Sequence, residues 1–149
     1  MGFLCREKSQ RAVCLSQIAA GKKGIVIENN TDPLLNVWAD KNIISLVLRN
    51  LISNAIKFSG SGKINLSTSF YNGIVSLYVK DNGVGIPVEK LKKIFDGYVE
   101  STYGTNKEKG TGLGLVLCLE YLKAMDSTLH AKSMEGEGTT FWMTLPLRV

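Results

Sequence analysis

Apolar residues recur at three- and four-residue steps in several parts of the chain, and this period predicts helices. The strongest pattern begins after Asp40, a residue suited to capping a helix, and continues to about Phe58. Its apolar positions are Ile44, Val47, Leu48, Leu51, Ala55 and Ile56. The same period predicts helices over Leu113 to Met125 and, with a weaker start, Arg6 to Ala20. The segment PVEKLKKIF is typical of a short helix, because Pro87 is a favourable first residue.

Strict alternation of apolar and polar residues predicts two β-hairpins. The first joins KINLSTSF to IVSLYVK through Asn72-Gly73, and the second joins STLHAKSM to TTFWMTLP through EGEG. Two further strands, GIVIE and NVWAD, flank an Asp-Pro turn. The predicted fold class is therefore α+β, a two-layer sandwich in which three helices cover one face of a sheet. We expect that sheet to be mixed but mostly antiparallel, with about five or six strands.

The overall composition is that of one ordinary globular domain of 149 residues, 44% hydrophobic and 21% charged. A net charge of +5 suits an anionic small ligand or an acidic partner as well as nucleic acid, so charge does not choose among them. The three cysteines form no C-x-x-C pair, which favours reduced structural thiols in a cytosolic setting. No apolar run approaches the roughly 18 residues that cross a bilayer, and no signal peptide is recognised.

The stretch KDNGVGIP, residues 80–87, ends a predicted strand with a carboxylate. Alternation places Asp81 on the same face as the apolar residues of that strand, where an unpaired carboxylate costs several kcal/mol. It therefore needs a donor, such as a backbone amide, a water or the exocyclic amine of a purine. An Asp that begins a turn and accepts from its own Asn82 and Gly83 amides is the alternative. Gly83 and Gly85 favour a ligand, because they remove side chains where a flat molecule would approach.

One face of the helix LRNLISNAIKF carries Asn50, Asn54 and Lys57 at positions i, i+4 and i+7. A solvated polar face is the simplest interpretation of any one of them. Two asparagines inside a helix are locally unfavourable, however, because their amides compete with backbone hydrogen bonds. Amide oxygens suit magnesium and an ammonium suits phosphate, so the three together indicate a face for metal and phosphate.

The stretch KGTGLGLV opens the last predicted helix with Gly110, Gly112 and Gly114. Free amides at a helix start form an anion site, although glycines there can also serve close packing. Lys107 and Lys109 add positive charge beside them. Together with the carboxylate and the asparagine face, this describes a site for a purine nucleoside triphosphate. The P-loop, the dinucleotide fingerprint and the Ser/Thr/Tyr kinase signatures do not occur.

The order of these motifs closely resembles the catalytic and ATP-binding domain of sensor histidine kinases. The wider superfamily includes gyrase, MutL and an ATP-driven chaperone. RNLISNAIKFS resembles the N box, DNGVGIP the G1 box, IFDGYV the F box, KGTGLGLV the G2 box and GEGTTF the closing threonine motif. The resemblance extends from about Ile25 to Leu147 and implies a Bergerat-type ATP-binding fold.

The resemblance also implies a role for individual residues. Asn54 would bind Mg²⁺, Asn50 and Lys57 would reach the phosphates of ATP, and Asp81 would accept from the adenine amine. A pocket for the base would be lined by Phe58, Ile86, Tyr98 and Leu113, with Thr139 under the adenine. The phosphates would be held by Gly110, Thr111, Gly112, Leu113, Gly114 and Leu115. The loop from Gly97 to Lys109 would be a mobile ATP lid, and it departs from the family by Tyr98 in place of the second Phe of Phe-x-x-Phe.

Asn50 distinguishes phosphoryl transfer from hydrolysis. In the ATP hydrolases of the superfamily, a Glu one helical turn before the magnesium-binding Asn activates water, and this position is Asn50 here. Because an amide cannot act as a general base, the expected catalytic set of Asn50, Asn54 and Lys57 favours transfer to another group over hydrolysis.

The acceptor histidine of the relatives lies on a helix of a separate dimerisation domain. His130 lies in a predicted strand and faces outward, so we expect no catalytic role for it. Residues 1–20 are interpreted as a connector from a missing dimerisation domain, and residues 21–149 as the catalytic domain.

The leading hypothesis is the catalytic domain of a cytoplasmic sensor histidine kinase, whose parent protein can be anchored in the inner membrane. Its expected partners are its own dimerisation domain and the receiver domain of a response regulator, without nucleic acid or membrane contact. An ATPase of the gyrase or MutL kind and a non-catalytic nucleotide-binding regulatory module are the alternatives.

Overall fold

The computed structural model describes residues 2–97 and 113–147. The helices are α1 (Cys5–Lys22), α2 (Lys41–Lys57), α3 (Val88–Phe95) and α4 (Leu113–Ala124). The strands are β1 (Gly2–Leu4), β2 (Ile25–Asn30), β3 (Asn36–Trp38), β4 (Gly62–Tyr71), β5 (Ile74–Asp81), β6 (Thr128–Met134) and β7 (Gly138–Pro146).

Five strands form the main sheet in the order β2-β4-β5-β7-β6. The pair β2 and β4 is parallel and the other neighbours are antiparallel, so the sheet is mixed but mostly antiparallel. Both predicted hairpins, β4–β5 and β6–β7, are present. Strands β2 and β3 follow each other in the chain but do not pair, because β3 pairs with the short β1 in a separate two-stranded sheet. The predicted α+β fold class is confirmed.

Helices α1, α2 and α4 form the layer against the sheet. Helix α2 contacts β4 and β5, α1 contacts β2, and α4 contacts β6. The short α3, which was predicted from PVEKLKKIF, contacts α4. The described residues therefore form four helices, one more than the layer of three that was predicted. The largest fully buried side chains between the layers are those of Ile44, Leu48, Leu51, Ile52, Ile64, Leu66, Leu77, Leu122, Met143 and Leu145. None of the helices described is both long and apolar enough to cross a bilayer.

Both ends of α2 are held by polar side chains. The Asp40 carboxylate accepts from the backbone N–H groups of Asn42 at 2.9 Å and Ile43 at 3.2 Å, which confirms the predicted cap. At the other end, the Lys23 ammonium donates to the last two carbonyls of the helix at 2.8 and 3.0 Å. A cation there satisfies carbonyls that have no partner within the helix, and it interacts favourably with the negative end of the helix dipole.

Residues 2–22 pack as part of the same domain. Strand β1 pairs with β3, and α1 contributes buried residues to the core, namely Cys5, Ala12, Val13 and Ala20. The origin of this segment in a connector from a preceding domain remains a prediction. Burial raises the pKa of the Cys5 thiol to about 11 and that of Cys118 to about 12, so both thiols stay protonated at neutral pH, as structural cysteines do.

Candidate functional site

Asp81 is the last residue of β5 and faces the helix layer with only 7% of its surface exposed. Its Oδ1 accepts from the backbone N–H of Gly83 at 2.9 Å and from that of Thr139 at 3.2 Å. The turn contact that the sequence offered as an alternative is therefore present. Both bonds end on Oδ1, and within the described part of the chain Oδ2 accepts none. The second oxygen of this largely buried side chain therefore remains for a further donor.

Burial raises the pKa of Asp81 above its ordinary value of 3.8, and the amides of Gly83 and Thr139 only partly oppose this. The folded domain therefore holds this proton more tightly than the unfolded chain. In linkage terms, the contribution of Asp81 to stability is fully present below pH 3.8 and is lost as the pH rises through the raised folded value.

This linkage can be isolated with Asp81→Asn, which is neutral at every pH and keeps an Oδ1 acceptor. We expect the variant to gain stability relative to the native domain as the pH rises through the raised pKa, and the difference to be constant below the ordinary one. Denaturant unfolding of both nucleotide-free proteins between about pH 3 and about pH 7 measures the difference. A difference that does not vary with pH would show that the carboxyl pKa is not raised.

The loop between β5 and α3, residues 82–87, is called the glycine loop here and packs closely against the backbone of other segments. A Cβ on Gly83 would collide with the carbonyl oxygen of Phe58 and would lie 2.8 Å from Ser59 Oγ. A Cβ on Gly85 would collide with the carbonyl oxygen of Met134. The structure thus gives both glycines a packing reason that differs from the expected approach of a ligand. Their part in nucleotide binding remains a prediction.

Gly85→Ala is expected to lower the free energy of unfolding by about 2 to 4 kcal/mol, because its φ of +76° lies in the left-handed region and the methyl has no space. Denaturant unfolding measures this change. Gly21→Ala is the matched control, since Gly21 lies in α1 and a methyl group on it would have nothing within 4 Å. We expect that variant to raise stability by up to about 1 kcal/mol. Equal effects of the two substitutions would contradict the close fit of the loop.

The expected metal and phosphate face lies on α2, where Asn50, Asn54 and Lys57 are all half-buried. The side-chain amide of Asn54 takes part in no hydrogen bond among the described residues, so its oxygen remains for a cation. The Lys57 ammonium lies 4.8 Å from the centroid of the Phe58 ring. This contact brings a positive charge beside a ring expected to line the base pocket.

Asn50 is tied to its own helix and to α4. Its Nδ2 donates to the carbonyl of Leu46 at 3.1 Å, and the amide also hydrogen bonds the buried thiol of Cys118. A Cβ on Gly114, in the first turn of α4, would lie 3.1 Å from Asn50 Oδ1. Gly114 thus lets the start of α4 approach the asparagine face. This contact supports the expectation that the N box and the G2 box form one site.

The remaining expected site residues divide into described and undescribed positions. Ile86 and Leu115 are partly buried and pack against the core, and Thr139 is 5% exposed beside Asp81. Leu113 begins α4, but its side chain is not described. Six expected site residues lie outside the described residues, namely Tyr98, Lys107, Lys109, Gly110, Thr111 and Gly112. The expected lid from Gly97 to Lys109 lies outside them as well, apart from its first residue.

Comparison with known proteins identifies the family of the domain. Residues 39–149 match the model of the HATPase_c family, described as "Histidine kinase-, DNA gyrase B-, and HSP90-like ATPase". The chain belongs to this family. Among curated proteins, the autoinducer 2 sensor kinase/phosphatase LuxQ of Vibrio parahaemolyticus is 34% identical over 131 residues, which cover 83% of this chain and 15% of LuxQ. The HATPase_c chain thus spans less than a quarter of the length of this relative.

Solved structures give the same result. The catalytic domain of the histidine kinase ThkA superposes on this HATPase_c domain with a TM-score of 0.83 and 29% identity, covering 98% of this chain and 94% of that one. Full-length ShkA in complex with AMPPNP gives a TM-score of 0.85 and 27% identity, covering 100% of this chain and 31% of ShkA. ThkA is also known in complex with the response regulator protein TrrA. The resemblance to histidine kinase catalytic domains is confirmed.

One polar residue beside the candidate site of this HATPase_c domain, Ser133, was missed in the sequence. Ser133 lies on the inner face of β6, where its Oγ accepts from the backbone N–H of Ile86 at 2.7 Å and lies 2.8 Å from Thr139 Oγ1. The signal was present, because Ser133 follows Leu129 and Ala131 at steps of two and so occupies a core-facing position. A polar residue in such a position needs hydrogen-bond partners.

His130, the one histidine of the chain, lies on the other face of β6. Its ring stacks on Trp142 with centroids 5.3 Å apart and planes inclined by 17°. Trp142 in turn stacks on Tyr78 at 5.7 Å. The predicted outward orientation of His130 agrees with this packing, and the absence of a catalytic role for it remains a prediction.

Proposed function

We propose that the chain is the ATP-binding catalytic domain of a two-component sensor histidine kinase. It would transfer the γ-phosphoryl group of ATP to a histidine on a separate dimerisation domain. The observation that carries this proposal is the buried Asp81 carboxylate, whose Oδ1 is fixed by two backbone amides while Oδ2 remains for an amine. The family of the chain and the AMPPNP complex of ShkA support a nucleotide as the ligand.

The described residues fit a nucleotide with magnesium. Asp81 would accept from the adenine amine, Thr139 and Ile86 would border the base, and Lys57 would reach the phosphates. Asn54 would hold Mg²⁺ through its amide oxygen, which takes part in no hydrogen bond among the described residues. When bound, magnesium offsets the negative charge that develops on the phosphates during transfer.

Asn50 favours transfer over hydrolysis. An amide has no basic site for a proton at neutral pH, and that of Asn50 is already hydrogen bonded to Leu46 and Cys118. The domain therefore lacks a general base at the position where the hydrolases of the superfamily carry Glu. An acceptor with its own nucleophile, such as an imidazole, is the reaction partner that this arrangement suits.

The proposed partners are the dimerisation domain of the parent protein and the receiver domain of a response regulator. The complex of ThkA with TrrA supports the second partner. We also propose that the domain acts in the cytoplasm, where ATP and reduced thiols coexist.

The proposal is tested by following γ-labelled ATP in the presence and absence of a separately supplied dimerisation domain. Label on the histidine of that domain, with slow release of free phosphate in its absence, is the expected result. Rapid repeated turnover without an acceptor would favour an ATPase of the gyrase or MutL kind. Tight binding of ATP without any transfer would favour a regulatory module that only binds nucleotide.

A further inference from the structure

Ser133 of β6 lies at the centre of a partly buried hydrogen-bond network that joins the glycine loop to β7. Its Oγ accepts from the backbone N–H of Ile86 at 2.7 Å and donates to the carbonyl of Gly138 at 3.1 Å. The same oxygen lies 2.8 Å from Thr139 Oγ1. The network reaches the acid of the site, because the backbone N–H of Thr139 donates to Asp81 Oδ1 at 3.2 Å.

The single hydroxyl proton of Ser133 determines the direction of these bonds. The carbonyl of Gly138 can only accept, so the bond between them uses the Ser133 proton. We therefore assign the Thr139 hydroxyl as the donor of its contact with Ser133, so that the two lone pairs of Ser133 accept from Thr139 and from the Ile86 N–H. Thr139 Oγ1 is left with lone pairs only. It can accept a hydrogen bond from a ligand but cannot donate one.

Backbone contacts also join the glycine loop to the hairpin of β6 and β7. The backbone N–H of Gly136 donates to the carbonyl of Val84 at 2.8 Å, so the turn between β6 and β7 is bonded to the glycine loop. A Cβ on Gly138 would collide with the carbonyl oxygen of Asp81. The hydroxyl of Ser133 is therefore presented to Ile86 and Thr139 from a rigid support, which a specificity contact requires.

We propose that Ser133 is a positioning residue that sets the base specificity of the site. By holding the Thr139 hydroxyl as an acceptor, it makes the pocket present two acceptors to the base, Thr139 Oγ1 and Asp81 Oδ2. Such a pocket favours the amino group of adenine and disfavours the carbonyl that guanine carries at the same position. The inference rests on the proposed function, since it assigns a cause for the base preference of that same site.

The test compares the dissociation constants of Mg-ADP and Mg-GDP by calorimetry for the native chain and for Ser133→Ala. Without the serine, the Thr139 hydroxyl is free to rotate and to donate to the guanine carbonyl. We expect the preference for ADP over GDP to fall by about tenfold. Ser133→Thr keeps a hydroxyl and should retain the preference. Ser69→Ala is the matched control, because it removes the hydroxyl that meets Tyr78 Oη at 3.1 Å on another strand.

Each outcome decides the matter. An unchanged ratio of ADP to GDP affinity in Ser133→Ala, or an equal loss for both nucleotides, would reduce Ser133 to a structural residue and overturn the proposal. If Ser133→Ala does not fold, Ser133→Cys gives the same comparison with a weaker hydrogen-bonding group of similar size. Failure of the native chain to bind either nucleotide would instead overturn the proposed function, and this inference with it.

Discussion

Asp81→Asn is expected to weaken the binding of adenine nucleotides by about 1 to 3 kcal/mol, a loss of roughly 5- to 150-fold in affinity. The native Oδ1 accepts from the amides of Gly83 and Thr139, and the Oδ1 of an asparagine can keep both bonds. Only Oδ2 is replaced, by an NH₂ group that presents donors toward the adenine amine. Two donors then face each other in a buried site, and neither is satisfied.

Calorimetric titration with ADP measures the loss, and unfolding curves show that the variant remains folded. Asp126→Asn is the matched control, because Asp126 is exposed and its φ of 56° is one that asparagine tolerates well. It should leave affinity and stability unchanged. Unaltered affinity in a folded Asp81→Asn protein would remove Asp81 from the base site.

The orientation of Asp81 could be predicted from the sequence because it depends only on local alternation. Residues at steps of two along β5 share a face, so the burial of Val75, Leu77 and Val79 determines that of Asp81. The cap of α2 by Asp40 and the turn at Asn72-Gly73 could be predicted for the same reason, because each depends only on residues that are close in the chain. Asn72 and Gly73 both have positive φ, as a two-residue hairpin turn of this kind requires.

Contacts between distant segments could not be predicted in this way. Strand β2 was predicted, but alternation carries no information about which strand it pairs with. It pairs in parallel with β4, and the chain between these two strands contains β3 and α2. The packing reason for a glycine at position 85 could not be predicted either. A side chain there would collide with the carbonyl oxygen of Met134, which belongs to another hairpin. Alternation along β6 indicates the core-facing position of Ser133, but not its partner Ile86, which is 47 residues away in the chain.

The candidate site combines both kinds of information. Asn50, Asn54 and Lys57 were found by helical spacing within one element, and the structure shows all three half-buried on α2. Their proximity to the start of α4 appears only in the fold, where Gly114 meets Asn50. A nucleotide site that is assembled from several elements is therefore recognised in the sequence as separate motifs, and only the fold shows how the described ones meet.

Asn54→Ala is expected to lower phosphoryl transfer to a supplied dimerisation domain by about 100-fold or more. Asn54 is the residue proposed to hold magnesium, and without its amide oxygen the metal that offsets the developing charge is lost. Binding of ADP in the absence of metal should change little, because Asp81 and its neighbours are untouched. Label transfer from γ-labelled ATP gives the first quantity, and calorimetry with a chelator gives the second.

Asn42→Ala makes the same change near the start of the same helix, where Asn42 is exposed, and it should transfer label at the native rate. This pair of variants separates loss of the metal from loss of helix stability, since both remove an asparagine from α2. If Asn54→Ala transferred phosphate normally, magnesium would have to be held by other residues. If it lost nucleotide binding equally with and without metal, Asn54 would contact the nucleotide itself.

Label on His130 of the isolated chain would show that the acceptor is part of this domain, because no other histidine is present in its 149 residues.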